Sequence, residues 1–507
     1  MNFTHILKPV PPKGWVIISL LFLGIIVLLG LSEIVRRRLD WPAEFSRKLV
    51  HISAGILFFF APILIESSLP FVIIALLFII INYIALKKGF LKGMNGERET
   101  FGTIFYPISF LILVLFAWQD HKIIIIISMM IMAIGDALAA IVGESLPNTH
   151  NYLLITEKKT LEGSITMFVT STIIIFVVLQ SNSFRSYVVA YSSVYVLWIA
   201  IITAVISTVA EALSTKGSDN LSVPLFSAVI LYFMINHTSA ENVQLTIGLI
   251  LATIVSIVSF YFRFLDKSGA VATFLLAAII FGFGGWKWSI PILVFFVSSS
   301  LLSMVGKTRK IKVEQIFEKS SHRDYAQVLA NGGVAGIIMI IYMFYEIPNL
   351  YIFYLAAIAA AIADTWATEI GTLTEQQPRL INNLQKVPLG TSGGITTLGI
   401  LGSLLGALII AMSGLIFITN LSSKTLILFL ITFSGTLASL VDSYLGATVQ
   451  IKYQCPICNK ITERKIHCNK IPTTPIGGID WISNDIVNLI NTLSSVIFIS
   501  FAINIFS

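Results

Sequence analysis

Residues 350–371 read LYIFYLAAIAAAIADTWATEIG, and residues 122–143 read KIIIIISMMIMAIGDALAAIVG. Each run is long enough to cross about 30 Å of hydrocarbon as a helix. Each also carries one aspartate, Asp364 or Asp136, in a matching frame, D-x-x-A-x-x-(V/I)-G. A carboxylate inside a membrane span is costly and is by default a functional-site candidate. Two of them in one frame point to a membrane site made twice.

The rest of the chain has the same character. Its 507 residues are 56% hydrophobic and 12% charged, with a mean hydropathy of +0.89, too little polar surface to coat a soluble globule of this size. Apolar stretches of spanning length recur at 14–35, 49–65, 70–86, 102–118, 122–143, 163–180, 187–212, 221–236, 243–262, 269–285, 288–305, 327–345, 350–371, 393–418, 425–448 and 484–506. The expectation is an all-α polytopic membrane protein of about sixteen helices. The runs are continuous rather than alternating, which excludes a membrane β-barrel. Trp286 and Trp288 read as interfacial anchors.

Basic residues set the orientation. If the loop holding Arg36, Arg37, Arg38, Arg47 and Lys48 is cytoplasmic, every second loop should be basic. Eight such loops hold 27 of the 33 Lys and Arg residues, so the net charge of +7 is a topology signal. This predicts an inner (plasma) membrane protein of bacterial type with cytoplasmic sites and both termini outside. No basic, aromatic-interleaved soluble segment exists, which argues against a nucleic-acid partner. The first apolar stretch starts after Lys13 and lacks a small-residue cleavage site, so it reads as an anchor.

Counting spans divides the chain into eight plus eight, as domains 1–236 and 243–507, with an insertion at 452–475 in the second. An even number per half makes the halves parallel repeats. Polar motifs fall after equivalent helices. Arg47-Lys48 through His51 to Gly55 pairs with Arg263 through Asp266 and Lys267 to Gly269, and Glu97 to Thr103 pairs with Arg323 to Gly333, which includes Asn331. The two Asp frames lead to Lys159, Glu162, Gly163 and Ser164 in one half and to Lys386, Gly393 and Gly394 in the other. Asp136 to Lys159 spans 23 residues and Asp364 to Lys386 spans 22. Finally Glu211, Asp219 and Asn220 match Asp442 with Asn484-Asp485.

Each half thus collects carboxylates, Lys or Arg, and Gly-Ser/Thr loops. That set suits phosphoryl transfer: carboxylates hold Mg²⁺ or take a hydroxyl proton, cations neutralise phosphate oxygens, and glycines admit close approach of backbone N–H groups. The insertion holds all three cysteines, as Cys455-x-x-Cys458 followed by His467-Cys468. These read as a structural zinc site, as free thiols, or as a redox pair.

On these residues the first half resembles the polyprenol kinase family of dolichol and phytol kinases. The resemblance is carried by R-K-x-x-H-x-x-x-G (Arg47 to Gly55), G-D-x-x-A-x-x-x-G (Gly135 to Gly143), K-T-x-E-G-S (Lys159 to Ser164), and E-x-x-S with D-N-x-x-V-P (Glu211 to Pro224). After Gly143 the chain reads Glu144-Ser145-Leu146-Pro147 and lacks the G-K loop usual in that family. The second half resembles the DUF92 membrane family that includes phytyl-phosphate kinase. That likeness runs through Leu265 to Ala270, Phe295-Phe296, Gln327 to Gly333, Ala363 to Gly371, Pro388 to Gly394, and Asp442 to Thr448.

The resemblance implies a fusion in which an isoprenoid alcohol (phytol, geranylgeraniol or farnesol) is phosphorylated by the first half and the isoprenyl monophosphate by the second, with CTP or another nucleoside triphosphate as donor. It also implies roles. Asp136 and Glu211, with Asp219 and Asn220 nearby, bind Mg²⁺ and orient the nucleotide. Lys159, Arg47 and Lys48 contact phosphates with Ser164, and Glu162 or His51 activates the alcohol. In the second half Asp364, Glu369 and Asp442 form the acidic set, Lys386, Arg323 and Asp266 flank the phosphate site, and Asn331 with Gly393 and Gly394 gives a polar cradle. Two other classes share these features, a CTP-dependent lipid cytidylyltransferase and a two-repeat secondary transporter. A transporter needs a midplane site with two gates, whereas the motifs here cluster at helix ends.

Overall fold

A helix that is apolar on every side has no solvent face to spare and belongs in the middle of a bundle. The two aspartate-bearing segments behave this way in a computed structural model. It describes residues 10–39, 48, 52–53, 55, 59–60, 62–88, 101–181, 192–305 and 322–506, apart from 346, 348, 375, 419–423, 460, 464 and 469–470. The chain forms two compact units, Met1–Thr238 and Ser239–Ser507.

The first unit contains α1 (Pro12–Leu39), α2 (Leu69–Lys87), α3 (Gly102–Ala117) and α4 (Lys122–Ser145), then a hairpin of β1 (Asn151–Leu153) and β2 (Lys158–Thr160), then α5 (Leu161–Gln180), α6 (Ser193–Ala212) and α7 (Asp219–Asn236). Helix α4 is its core: Ile123 through Ile127, Met129 and Ile131 through Ala133 are buried, and α3, α5 and α7 pack around it. Outer helices instead show apolar faces, with Leu20, Leu23, Leu77 and Ile81 all exposed, as lipid contact requires.

The second unit contains α8 (Ser239–Tyr261), α9 (Lys267–Met304), α10 (Tyr325–Phe344) and α11 (Leu350–Gly371), then the short strands β3 (Arg379–Leu380) and β4 (Gly394–Ile395), then α12 (Thr397–Leu415) and α13 (Lys424–Thr448). After these come β5 (Lys452–Gln454), β6 (Ile461–Thr462), β7 (Ile466–His467), β8 (Ile471–Pro472), β9 (Thr474–Gly477) and α14 (Asn484–Phe506). Here α11 is central, buried without interruption from Tyr354 to Ala363 against α9, α10, α12, α13 and α14.

Among the described residues twelve helices are long and apolar enough to cross a membrane, with α3 and residues Pro12–Leu28 as shorter apolar helices. This multi-pass helical architecture agrees in kind with the sequence, and the differences from sixteen have local causes. Within the expected span 49–65, residues 49–51, 54, 56–58 and 61 lie outside the described residues. The expected spans 269–285 and 288–305 are joined in α9, broken only where Gly285 adopts φ 58°, ψ −158°, a conformation L-residues avoid. The two tryptophans that follow the break take different environments. Trp286 is exposed, but Trp288 is buried against Tyr342, Tyr351 and Tyr354, and its carbonyl accepts the Tyr354 hydroxyl. Trp288 is therefore a core residue and not an interfacial anchor.

The alanine and glycine of each aspartate frame acquire a packing explanation. Thr160 caps α5 by accepting from the Gly163 N–H at 3.1 Å, and Thr396 caps α12 by accepting from the Gly399 N–H at 3.0 Å. A Cβ on Gly163 would stand 2.9 Å from the Ala139 carbonyl, and one on Gly399 would stand 3.0 Å from that of Ala367. Likewise a Cβ on Gly143 or Gly371 would meet the capping hydroxyl of Thr160 or Thr396 at 2.5 or 3.0 Å. The alanine and glycine of each frame admit the next helix's first turn. Gly143→Val should therefore dislodge the Thr160 cap and overpack the α4–α5 contact, costing about 2 kcal/mol. A fall in the melting temperature of the detergent-purified protein checks this.

Candidate active sites

In the first unit the polar groups converge where α6 ends and α7 begins. The backbone first departs from regularity at residues Ile131–Asp136, a π-helical segment inside α4 that ends on Asp136. Such bulges re-aim a side chain and are frequent at functional sites. The Lys159 ammonium, at the end of the β-hairpin, donates to the buried Glu211 carboxylate and reaches the Ser214 hydroxyl at 3.3 Å. Asp136 lies within electrostatic range of Asp219, Glu211, Lys159 and Lys48. Burial disfavours the Lys159 cation, but Glu211, Asp219 and Asp136 outweigh it and hold its pKa above the ordinary lysine value. Lys159 is thus a fixed cation among three carboxylates. Lys159→Met should leave Glu211 buried without its cation and destabilise the first unit by about 3–5 kcal/mol. A lowered melting temperature that Lys159→Arg largely restores is the expected result.

Other expected residues take different places. Glu162 faces the hairpin, accepting from the His150 backbone N–H at 3.0 Å and contacting its Nδ1 at 2.7 Å. Ser164 bonds the Tyr152 hydroxyl at 2.6 Å. Lys48 pairs with Glu144 at 2.9 Å. Asn220 donates to Asp219 at 3.1 Å and to the Gly217 carbonyl, and the Phe101 N–H bonds the Lys216 carbonyl, so the two polar loops at 101 and 216 meet. Arg47 and His51 lie outside the described residues.

In the second unit α11 and α13 bring the Asp364 and Asp442 carboxyl groups beside one another. Asp442 Oδ2 is buried and has no hydrogen-bond partner. Two carboxyl groups in contact demand a proton or a cation between them. Glu463, from the insertion, lies in electrostatic range of Asp442 and accepts from Gln450 Nε2 at 2.8 Å. Gln450 Oε1 in turn accepts from the Ser392 hydroxyl at 2.9 Å. Next to Ser392, Gly393 holds φ +82° with its Cα against Ala447, where a Cβ would lie 2.5 Å from the Ala447 backbone nitrogen. Gly394 N–H bonds the Thr391 carbonyl.

Asp266 caps α9, accepting from the Gly269 N–H at 2.7 Å and the Ser268 hydroxyl at 2.8 Å. Arg323 pairs with that loop through its backbone, lies over the rings of Phe295 and Phe296 at 5.7 and 5.8 Å, and is in range of Glu369. Burial draws the Arg323 pKa below the usual arginine value, and Glu369 opposes this. Asn331 donates to the Gln327 carbonyl one turn earlier. Gly332 packs against Leu276, whose Cδ2 would have to shift to admit a Cβ there.

Lys386 is exposed between β3 and β4, bridged to Arg379. Register explains why it is not the counterpart of Lys159. Lys159 immediately precedes the capping Thr160, and the residue preceding the capping Thr396 is Ile395. Equal intervals along the chain had suggested otherwise. The sequence reading also missed a stripe on α14. Asn491 donates to the Ala360 carbonyl of α11, Thr492 to that of Ala330 on α10, and Ser495 to Ser434 of α13, with Asn488 buried beside them. Their spacing of three to four residues inside an apolar helix was the available signal.

Comparison with known proteins bears on both units. Protein PGR of Arabidopsis thaliana is 31% identical over 278 residues, 50% of this chain and 94% of that protein. A membrane protein of Methanocaldococcus jannaschii is 31% identical over 215 residues, 42% of this chain and 87% of its own length. Residues 250–496 match the integral membrane protein family DUF92. The chain belongs to that family. It is also similar to the phytol kinase of Synechocystis sp., at 33% identity over 227 residues, 44% of this chain and 93% of that enzyme. No solved structure matches. Membership in DUF92 and the twelve spanning helices make it a multi-pass integral membrane protein.

Proposed function

We propose that the chain is an isoprenoid kinase of the membrane, phosphorylating an isoprenoid alcohol in its first unit and the resulting monophosphate in its second, with CTP as the donor. The observation that carries the proposal is the Lys159 ammonium held among Glu211, Asp136 and Asp219 at the ends of α6 and α7. A relative named phytol kinase, matched over nearly its whole length, supplies the substrate class.

The residues fit a divalent cation. In the first unit three carboxylates surround Lys159, while Lys48 is already paired with Glu144. In the second, Asp364 and the unpartnered Asp442 Oδ2 offer hard oxygen ligands of the kind Mg²⁺ takes. Mg²⁺ bound at these carboxylates would supply charge neutralisation for the donor's phosphate oxygens.

The chain's own groups do the rest. The alcohol hydroxyl gives its proton to Asp136 as its oxygen forms a bond to the γ-phosphorus, the bond from that phosphorus to the nucleoside diphosphate breaks, and Lys159 neutralises the charge on the transferring phosphoryl group. Glu211 is already engaged by Lys159, which favours Asp136 as the proton acceptor. In the second unit the incoming monophosphate is itself an anionic nucleophile and needs no base. Arg323, a buried cation in range of Glu369, would bind its negative charge. The alkyl chain lies among the apolar helices, and Lys158 and Lys159 on the α4–α5 hairpin favour a cytoplasmic site.

The test is purified protein with geranylgeraniol and CTP labelled at either the γ- or the α-phosphate. Transfer of γ label to the lipid is expected. Transfer of α label would instead mean cytidylyl transfer, and no labelled lipid with any of several alcohols and nucleotides would overturn the kinase reading.

A further inference from the structure

The insertion between α13 and α14 is a β module with almost no core of its own. Its strands are two to four residues long, and Ile457, Ile461, Ile466 and Ile476 are all exposed. So small a module needs a disulfide or a metal to hold one shape. Three thiols cannot all be satisfied by disulfides, and a histidine joins them. The Sγ atoms of Cys455, Cys458 and Cys468 and a ring nitrogen of His467 all lie within 4.8 Å of one another.

Two turns aim these groups inward. Cys455 follows β5, and the backbone N–H groups of Cys458 and Ile457 point at its sulfur. Asn459, at φ 55°, closes this first turn. The second is the β7–β8 hairpin, where Cys468 adopts φ 34°, a strained value for a non-glycine residue. There His467 Nδ1 is 3.2 Å from Cys468 Sγ and 3.5 Å from Cys458 Sγ. Three thiolates and an imidazole are the four-ligand donor set of structural zinc sites, a set that would leave no open position for catalysis.

We propose that Cys455, Cys458, His467 and Cys468 bind one structural zinc ion that fixes the insertion beside the Asp364–Asp442 pair, with Glu463 as the positioning residue. Glu463 falls between the two ligand pairs in sequence. Through Gln450 it reaches Ser392 and hence the Gly393 turn, and it lies in electrostatic range of Asp442. Zinc therefore orders a chain of hydrogen bonds from the insertion to the turn before α12. This holds whether or not the second unit is a kinase, because metal content and backbone protection are measured without an activity.

Purified full-length protein should carry about one zinc per chain by elemental analysis, and Co²⁺ in its place should show thiolate charge-transfer absorption. Cys455→Ser with Cys458→Ser should lower bound zinc at least about tenfold. Amide hydrogen exchange around Ser392–Gly394 and Gln450 should speed up in the same variant. Glu463→Gln should keep its zinc yet speed exchange at Ser392, a result that a merely structural glutamate elsewhere in the module would not give. Wild-type protein with less than about a tenth of a zinc per chain, a Cys455–Cys458 disulfide by mass spectrometry, or zinc loss without any change near Ser392 would overturn the proposal.

Discussion

Asp136→Asn is expected to reduce phosphorylation of the isoprenoid alcohol by about 10²–10⁴-fold, the range for loss of a positioned acid–base group. Asparagine keeps the shape of the side chain but neither accepts the hydroxyl proton nor binds a cation as a carboxylate does. The fold should survive, because the close approach of α4 to α5 is made at Ala139 and Gly143 and asparagine is isosteric with aspartate. Removing one of three carboxylates grouped around Lys159 also lowers like-charge repulsion, so the melting temperature should hold or rise. Conversion of supplied monophosphate to diphosphate should stay within about twofold of wild type, since the second unit has its own acidic pair. An unfolded variant would leave neither activity, and circular dichroism with size-exclusion chromatography separates that outcome from a catalytic loss.

Asp442→Asn should move activity and stability in opposite directions. Without a bound cation the Asp364–Asp442 contact places two carboxyl groups together in a buried site, with Oδ2 of Asp442 unpartnered and Glu463 adding a third negative group. An amide at 442 can donate to Asp364, which removes the repulsion and satisfies the contact. Measured without divalent cation, the variant should melt at or above the wild-type temperature. Its conversion of monophosphate to diphosphate should fall by about 10²-fold or more, because a cation ligand is gone. Mg²⁺ should raise the melting temperature of the wild type more than that of the variant. Full activity with a lowered melting temperature would instead mark Asp442 as a packing residue.

Much of the fold was legible because a membrane span announces itself. Continuous apolar runs gave the helices, and residues 122–143 and 350–371, apolar on all faces around one aspartate, proved to be the buried centres of their units. The short polar connections were harder to read. The chain interval between Asp136 and Lys159 nearly equals that between Asp364 and Lys386, yet backbone register makes Ile395 the counterpart of Lys159. A two-stranded ladder can lengthen its turn without moving the cap that follows it, and intervals do not record that.

Side-chain partners were less legible still. Glu162, three residues after Lys159 in the motif, turns to His150, because the first turn of a helix points successive side chains about 100° apart. The π-helical turn before Asp136 has no sequence signature. The polar stripe on α14 was visible in spacing but was overshadowed by its apolar neighbours. The clustering of the three cysteines and His467, close in sequence in two pairs, was the easiest to foresee because short turns keep sequence neighbours together.

The most direct test is the product distribution of Asp136→Asn and Asp364→Asn, each verified as folded and each supplied in turn with alcohol and with monophosphate. Asp364→Asn should accumulate isoprenyl monophosphate from the alcohol and make no diphosphate. Asp136→Asn should make nothing from the alcohol and diphosphate from added monophosphate. Loss of both steps in either variant, or diphosphate formed from alcohol by both, would contradict two sites acting in sequence.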